Sequence, residues 1–137
     1  MKGSSRPSEV KDFAVFNAEV LAEASMGDAE FAEQLIEVFV ESSSGLIDEF
    51  EAALVTADYP RATRAIHSLK GSSRTLGLDR LGHVASELEM WSKALMEGDK
   101  NQNRPLTLRP FMESELRNEF AIAVGALRSL ELDSLVA

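Results

Sequence analysis

Apolar residues recur every three or four positions through successive long segments of this chain, and this helical periodicity constrains its fold more than any other feature. β-Branched residues rarely alternate with polar ones, which disfavours strands. The pattern predicts helices over about 10–25, 29–57, 58–77, 79–97 and 111–130. Mostly short connections between amphipathic helices favour antiparallel neighbours. We therefore expect an all-α fold, an antiparallel four-helix bundle with an additional N-terminal helix packed as a lid.

The apolar stripe of each helix predicts the core. In the second helix the stripe is interrupted at 42–45, where three serines and a glycine weaken the helix, so a kink or break is expected there. The predicted inward residues of the second and third helices are Phe31, Leu35, Val38, Phe39, Leu46, Ile47, Phe50, Leu54, Ala62, Ile66, Leu69, Ser73 and Leu76. Those of the fourth and fifth are Leu81, Val84, Ala85, Leu88, Trp91, Leu95, Leu116, Phe120, Ala123, Val124, Leu127 and Leu130.

Capping residues mark several predicted helix ends. Gly27 suits the position just after the first helix, and Asp28 can cap the second. Asp58 can cap the third helix, whose first turn holds Pro60, where a missing N–H costs nothing. Gly77 is expected to end that helix. These local signals agree with the helical periodicity.

The chain has the size of one domain. Its 137 residues are enough to bury a sizeable core. We expect 1–9 to be a disordered or linker segment and 10–137 to form a single helical domain. Gly98 is expected to end the fourth helix, and the polar stretch 99–110, which holds two prolines, predicts a longer connection without an assigned role.

Charge and composition exclude several classes of function. The net charge of −9 argues against nucleic acids and anionic membranes as partners. The absence of cysteine excludes disulfides and thiolate metal sites and suits the reducing cytoplasm, where we expect the protein to lie. No apolar run approaches the roughly 20 residues needed to span a bilayer, so membrane insertion is not expected.

The third predicted helix reverses the charge of the chain. No acidic residue occurs over 59–78, while Arg61, Arg64, Lys70 and Arg74 are basic, in a sequence with 23 acidic and 14 basic residues. One explanation is a charged face paired with acidic neighbours such as the second helix. The other is an electropositive site for an anion.

His67 lies one position off the inward stripe of this helix, at the edge of its exposed face. Helix geometry places Arg64, Lys70 and Gly71 within one turn of its ring. Glycine in a helix interior costs ~1 kcal/mol relative to alanine, and here it clears the surface beside the ring. Because neutral imidazole offers a lone pair, these neighbours predict a phosphoryl-accepting histidine. The alternative is a surface histidine without a role.

The run HSLKGSSRTLG over 67–77 resembles the signature H-x-L-K-G-S-x-x-x-L-G of histidine-containing phosphotransfer (Hpt) domains. The similarity continues through the leucines, alanine and glutamate of 81–89 and reaches back to 27–28 and 37–39. It covers roughly 16–98, and the last helix matches only in kind. A match over a run this long is far more specific than a short spaced motif.

The resemblance implies a role for each site residue. His67 would carry the phosphoryl group on its outer ring nitrogen, Lys70 would contact the phosphate oxygens, and Gly71 would leave room for the partner's active site. Glu89 occupies the position from which an acid or amide hydrogen-bonds the other ring nitrogen. The alternative for Glu89 is a solvated residue paired with Lys93 one turn later.

Three further cations complete the expected phosphate neighbourhood. Helix geometry adds Arg64 and Arg74, which flank His67 on the same helix. Lys93, on the following helix, would lend another positive charge.

The resemblance implies a phosphorelay intermediate of two-component signal transduction. His67 would accept the phosphoryl group from an aspartate of one receiver domain and pass it to another receiver. The expected partners are response-regulator receiver domains and a hybrid sensor kinase, and the chain is expected to be a monomer. It should need no cofactor of its own, since Mg²⁺ is expected on the partner receiver. The sequence contains no P-loop or kinase catalytic-loop pattern, so we expect a phosphocarrier rather than an ATP-dependent enzyme.

Receiver docking should be small and transient. Exposed apolar residues of the first two helices are candidate contacts, with Val20, Leu21 and Phe39 as examples, although each suits the core as well.

Two other functions are weighed against the carrier. One is an adaptor that docks receivers without carrying phosphate. The other is a metal-binding bundle, which needs inward Glu-x-x-His pairs. Arg64 and Arg80 stand three residues before His67 and His83, so such pairs are absent. We expect His83 to be a surface or packing residue.

Overall fold

The computed structural model describes residues 13–98 and 108–130, with side chains of the second stretch described from Ser114 onward. These residues form five helices and no strand. The helices are α1 (Ala18–Ala24), α2 (Ala29–Val55), α3 (Tyr59–Thr75), α4 (Asp79–Met96) and α5 (Leu108–Arg128). The all-α prediction is therefore confirmed. The predicted linker 1–9 lies outside the described residues.

Two predicted N-caps are confirmed in atomic detail. The Asp28 carboxylate accepts hydrogen bonds from the backbone N–H groups of Glu30 and Phe31 at 3.0 and 3.2 Å. The Asp58 carboxylate accepts from the Arg61 N–H at 3.2 Å, with Pro60 in the first turn of α3. Each carboxylate satisfies N–H groups that have no partner within the helix.

The first helix begins later than predicted, at Ala18 rather than near residue 10, because Asn17 caps it. Residues 13–17 instead form a non-helical segment laid against the turn between α3 and α4. The Asn17 N–H donates to the Gly77 carbonyl at 2.8 Å, and the Arg80 N–H donates to the Ala14 carbonyl at 3.0 Å. The second bond satisfies the first turn of α4, where Leu78 provides no side-chain cap.

Two other boundaries differ from the sequence prediction. The break expected at 42–45 does not occur, and α2 is continuous through this stretch. Ser43 is buried in the interior, so the segment is held by packing. Tertiary packing therefore outweighs the weak helix propensity of serine and glycine. The last helix begins at Leu108, three residues early, with Pro110 in its first turn, where proline is tolerated. Residues 99–107, most of the predicted connection, lie outside the described residues.

One hydrophobic core joins the helices. Almost every predicted inward residue is buried or packs against buried neighbours. Phe31 and Val124 are only partly buried. Val38 departs most from the prediction: it is 64% exposed, and its neighbour Phe39 is buried instead. The stripe on α2 also includes small or branched residues that the prediction omitted. These are Ala32, Ile36 and Ala53.

Short turns join α2 to α3 and α3 to α4, so these packed neighbours run antiparallel, and ion pairs join α2 to two other helices. On one side, Arg61 of α3 pairs with Glu49 of α2 at 3.2 Å. At the other end of the chain, Arg117 of α5 binds Asp48 and Glu51 of α2 at 2.8 and 2.7 Å. The most extensive packing joins α3 to α4 and α2 to α3, so α3 is held between two helices. No helix of the described part of the chain is long and apolar enough to cross a membrane.

Gly77 lies where the N-terminal segment approaches the bundle closely. Its φ is +80°, and a Cβ there would collide with the backbone oxygen of Asn17. We expect Gly77→Ala to lower the free energy of unfolding by about 2 kcal/mol or more, because a left-handed backbone strain adds to the collision. Gly98→Ala is the control, since Gly98 has φ +68° and open space around it. It should cost only about 1 kcal/mol in chemical denaturation. Equal losses would contradict the close approach.

Candidate functional site

His67 stands on the outer surface of α3, with its side chain 64% exposed. Its position follows from the helical period, because the buried residues Ala62, Ile66, Leu69 and Ser73 turn the opposite side of α3 into the core. The imidazole ring is therefore accessible to a partner protein, as the sequence predicted for a phosphoryl acceptor.

Glu89 of α4 contacts the imidazole ring of His67 on the side that faces the bundle. Its Oε2 lies 2.7 Å from Nδ1 of His67, and the residue is only 8% exposed. A carboxylate at this distance accepts a hydrogen bond from Nδ1–H, which favours the tautomer whose lone pair is on Nε2. Nε2 is then the ring nitrogen left for an incoming group. The contact predicted from the resemblance is present.

Lys70 also contacts Glu89. Its Nζ lies 2.6 Å from Oε1, so the two carboxylate oxygens have different partners. Burial raises the pKa of the Glu89 carboxyl, but hydrogen bonds from Lys70 and His67 outweigh burial and hold this pKa below its usual value of 4.5. Glu89 is therefore ionised at neutral pH.

The lowered pKa of Glu89 predicts a specific pH dependence of stability. A carboxyl whose pKa is lower in the folded chain stabilises the fold above the unfolded pKa, and this contribution is lost as pH falls through the folded pKa. We expect Glu89→Gln to reduce the acid sensitivity of the free energy of unfolding below pH 4.5. Urea denaturation at a series of pH values measures this. An unchanged slope in the variant would contradict the assignment.

Gly71 lies one turn after His67 on the exposed side of α3. A Cβ built on it would meet nothing within 4 Å. The chain's own packing therefore does not require glycine at this position. The space that Gly71 leaves open faces outward, beside the ring of His67.

Arg64 and Lys93 are exposed. Arg64 lies about one turn, or ~5 Å along the helix axis, from His67 on α3, and Lys93 lies about one turn from Glu89 on α4. A hydrogen bond of 2.7 Å between Thr63 and Ser92 fixes the two helices at this level. Among the described residues, the ion pairs of the Glu89 carboxylate are those with His67 and Lys70. The alternative in which Glu89 is a solvated partner of Lys93 is thus not what the structure shows.

Arg74 is not brought to the ring. Its side chain crosses Gly82 of α4, where a Cβ would stand 3.0 Å from Cγ of Arg74. Seven residues separate it from His67, which is about 10 Å along a helix axis. Of the three cations predicted around the phosphate, only Arg64 and Lys93 lie within one turn of the site.

The predicted docking residues of the first helices are corrected by the structure. Leu21 and Phe39 are 0% and 3% exposed and belong to the core, while Val20 is partly buried. The sequence placed the inward stripe of α2 one residue too wide, since Val38 was assigned to the core and is exposed instead. The large apolar residues that α2 leaves exposed are Val38 and, at its C-terminal end, Val55.

His83 packs against an aromatic side chain of the N-terminal segment. It is 8% exposed, and its ring stacks on Phe13 with centroids 4.4 Å apart. This agrees with the prediction of a surface or packing residue. No group of three or more histidine, aspartate or glutamate side chains in the described residues is arranged to hold a metal ion.

The sequence did not predict the contact between Lys70 and Glu89, since the resemblance implied that Lys70 contacts the phosphate oxygens. A partial signal was available. Lys70 follows His67 by three residues, so both side chains can reach one residue of the antiparallel helix opposite.

Solved structures with a similar fold were found. One is histidine-containing phosphotransfer protein B (HptB) from Pseudomonas aeruginosa PAO1, with a TM-score of 0.69 and 24% sequence identity. Another is the HPT domain from the Hpt sensor hybrid histidine kinase of Shewanella, with a TM-score of 0.61 and 18% identity. Each alignment covers 84% of this chain and 92% of the other. At these identities the likeness concerns the fold.

Sequence comparison gives the family. No match was found among curated proteins. The family model of the Hpt domain matches residues 34–129, which is most of the chain and includes His67, Lys70, Gly71 and Glu89. The chain belongs to the Hpt domain family.

Proposed function

We propose that this chain accepts a phosphoryl group on Nε2 of His67 from the phosphorylated aspartate of one receiver domain and passes it to the aspartate of another. Hpt domains are phosphocarrier modules of phosphorelays. The observation that carries the proposal is the exposed ring of His67, held through Nδ1 by the buried carboxylate of Glu89.

The transfer step balances without an additional base. The Nε2 lone pair attacks phosphorus, the bond from phosphorus to the aspartate oxygen breaks, and the aspartate leaves as a carboxylate. The proton on Nδ1 stays in place and donates to Glu89. The ring becomes positively charged in the product, and the adjacent negative carboxylate stabilises this charge. Because acyl phosphate and phosphohistidine both transfer readily, the same geometry supports the reverse step.

The partners follow from this chemistry. The chain would need no cofactor of its own, because Mg²⁺ and the accepting aspartate belong to the receiver. A hybrid sensor kinase is proposed as the source of the phosphoryl group, and the Shewanella relative is by its name a domain of such a kinase. The candidate site is formed within one chain, which is consistent with action as a monomer. We place this activity in the cytoplasm.

The surface around His67 suits a small docking area. Gly71 leaves space beside the ring, and Arg64 and Lys93 supply positive charge near it. Val38 is an exposed apolar side chain of the neighbouring helix α2, and we propose that it extends the docking area. We propose that a receiver covers this surface over less than about 1,200 Å² in total, as transient signalling partners do.

Transfer from a radiolabelled phospho-receiver tests the proposal. We expect the chain to gain a label that is stable in alkali and labile in acid, as phosphohistidine is. Adding a second receiver should then remove the label. An adaptor would bind the phospho-receiver in a pull-down without gaining any label. Binding without label from every receiver of the source genome would overturn the carrier proposal.

A further inference from the structure

The ion pair between Lys70 and Glu89 occupies the lysine that a phosphoryl group would need. The 2.6 Å contact joins side chains that are 21% and 11% exposed. In the unphosphorylated chain, which we call the resting state, Lys70 is therefore committed to a carboxylate. The expected contact with phosphate requires it to move.

Charge balance explains the resting contact. A buried carboxylate is costly unless a cation compensates it. When His67 is neutral, its Nδ1–H gives Glu89 a hydrogen bond but no charge. Lys70 is the partner that supplies the positive charge in this state.

Phosphorylation changes this balance. The bond between Nε2 and phosphorus leaves a proton on Nδ1, so the ring itself becomes a cation in contact with Glu89. A dianionic phosphoryl group now lies on the other side of the ring. Lys70 is repelled by the charged ring and attracted by the phosphoryl oxygens.

We infer that Lys70 exchanges Glu89 for the phosphoryl oxygens when His67 is phosphorylated, so that Glu89 keeps one cationic partner in each state. Lys70 can make this change because it follows His67 by three residues and its four-carbon chain is flexible. The inference rests on the proposed function, since it concerns the same histidine. It makes Lys70 a positioning residue in the resting state and a phosphate ligand in the loaded state.

The exchange predicts unequal effects of the same substitution in two backgrounds. In the wild-type chain, Lys70 must break its ion pair with Glu89 before it binds the phosphoryl oxygens, and this cost offsets part of the rate acceleration that Lys70 provides. In Glu89→Gln no such release is needed. Lys70→Met should therefore slow phosphoryl acceptance from phosphoramidate, a donor that needs no receiver, at least about threefold more in the Glu89→Gln background than in the wild type, because residues of one network are coupled. Arg61→Met, which removes a cation paired with Glu49 on the other side of α3, should have the same small effect in both backgrounds.

A direct test uses nuclear magnetic resonance of the full chain loaded by phosphoramidate, which phosphorylates histidine without a receiver. The readout is the scalar coupling across the hydrogen bond between Nζ of Lys70 and the carboxyl carbon of Glu89, assigned with Lys70→Arg. We expect this coupling in the resting state and its loss on loading, with a new coupling from Nζ to phosphorus. The Nε signal of Arg61 should stay unchanged, because its partner Glu49 is remote from the ring.

Persistence of the coupling between Lys70 and Glu89 in the loaded chain, or equal effects of Lys70→Met in both backgrounds, would overturn the exchange. Neither result depends on a receiver. If the exchange is seen but no receiver transfers its label, only the proposed function fails. If receivers transfer label but the coupling persists, only the exchange fails. If neither phosphoramidate nor any phospho-receiver loads His67, both fail.

Discussion

A chain carrying His67→Gln is expected to accept no phosphoryl group from any phosphorylated receiver. Glutamine has no ring nitrogen that can act as the nucleophile, and no neighbouring side chain can replace Nε2. The loss should be complete rather than partial, since the acceptor itself is removed. The fold should survive, because the His67 side chain is 64% exposed and contributes little to the core. Acid-labile label on the variant after incubation with a labelled phospho-receiver measures the result.

The chain provides its own control for this experiment. His83 is the only other histidine, and it is buried against Phe13. His83→Gln should keep normal acceptance of label, although lost packing should lower its stability. Label retained by His67→Gln, or lost by a folded His83→Gln, would show that the phosphoryl group is carried elsewhere. Thermal unfolding of both variants separates loss of acceptance from loss of fold.

Gly71→Gln is expected to slow transfer by about a hundredfold, because a displacement of the reacting atoms by about 1 Å can cost that much. The added side chain would occupy the open space beside His67 and hold the receiver's aspartate away from Nε2. The same substitution should raise the free energy of unfolding by about 0.5 kcal/mol, since glutamine favours helix more than glycine does. Opposite effects on transfer and stability distinguish obstruction from damage to the fold.

Gly125→Gln is the matched control for this variant. Gly125 is also an exposed helical glycine, and a Cβ built on it would meet nothing within 4 Å. It lies on α5, which packs against α4 and α2 and, within the described residues, does not contact α3, the helix of His67. It should gain similar stability in chemical denaturation and keep the wild-type transfer rate. A Gly71→Gln chain that transfers as fast as Gly125→Gln would contradict the clearance argument.

The sequence by itself predicted most of the helical segments and singled out His67, rather than His83, as the candidate phosphoryl acceptor. Capping by Asp28 and Asp58 and the apolar periodicity act within a few residues, so they can be recognised without knowledge of the partner helix. The neighbours of His67 on its own helix, Lys70 and Gly71, are fixed by the same short-range geometry. The sequence resemblance also identified Glu89 as the partner of Nδ1, a contact that the structure contains.

Only the tertiary structure decided what depends on contacts between distant segments. The rotation of α2 about its axis exposes Val38 and buries Phe39. The apolar pattern of the sequence had assigned both residues to the inward side. The register of α3 against α4 brings Lys70 into contact with Glu89, whereas it places the side chain of Arg74 against Gly82, away from His67. Periodicity fixes which side of a helix is apolar only to within a residue or so. Packing against a neighbouring helix then fixes rotation and register, and with them the partner of each charge.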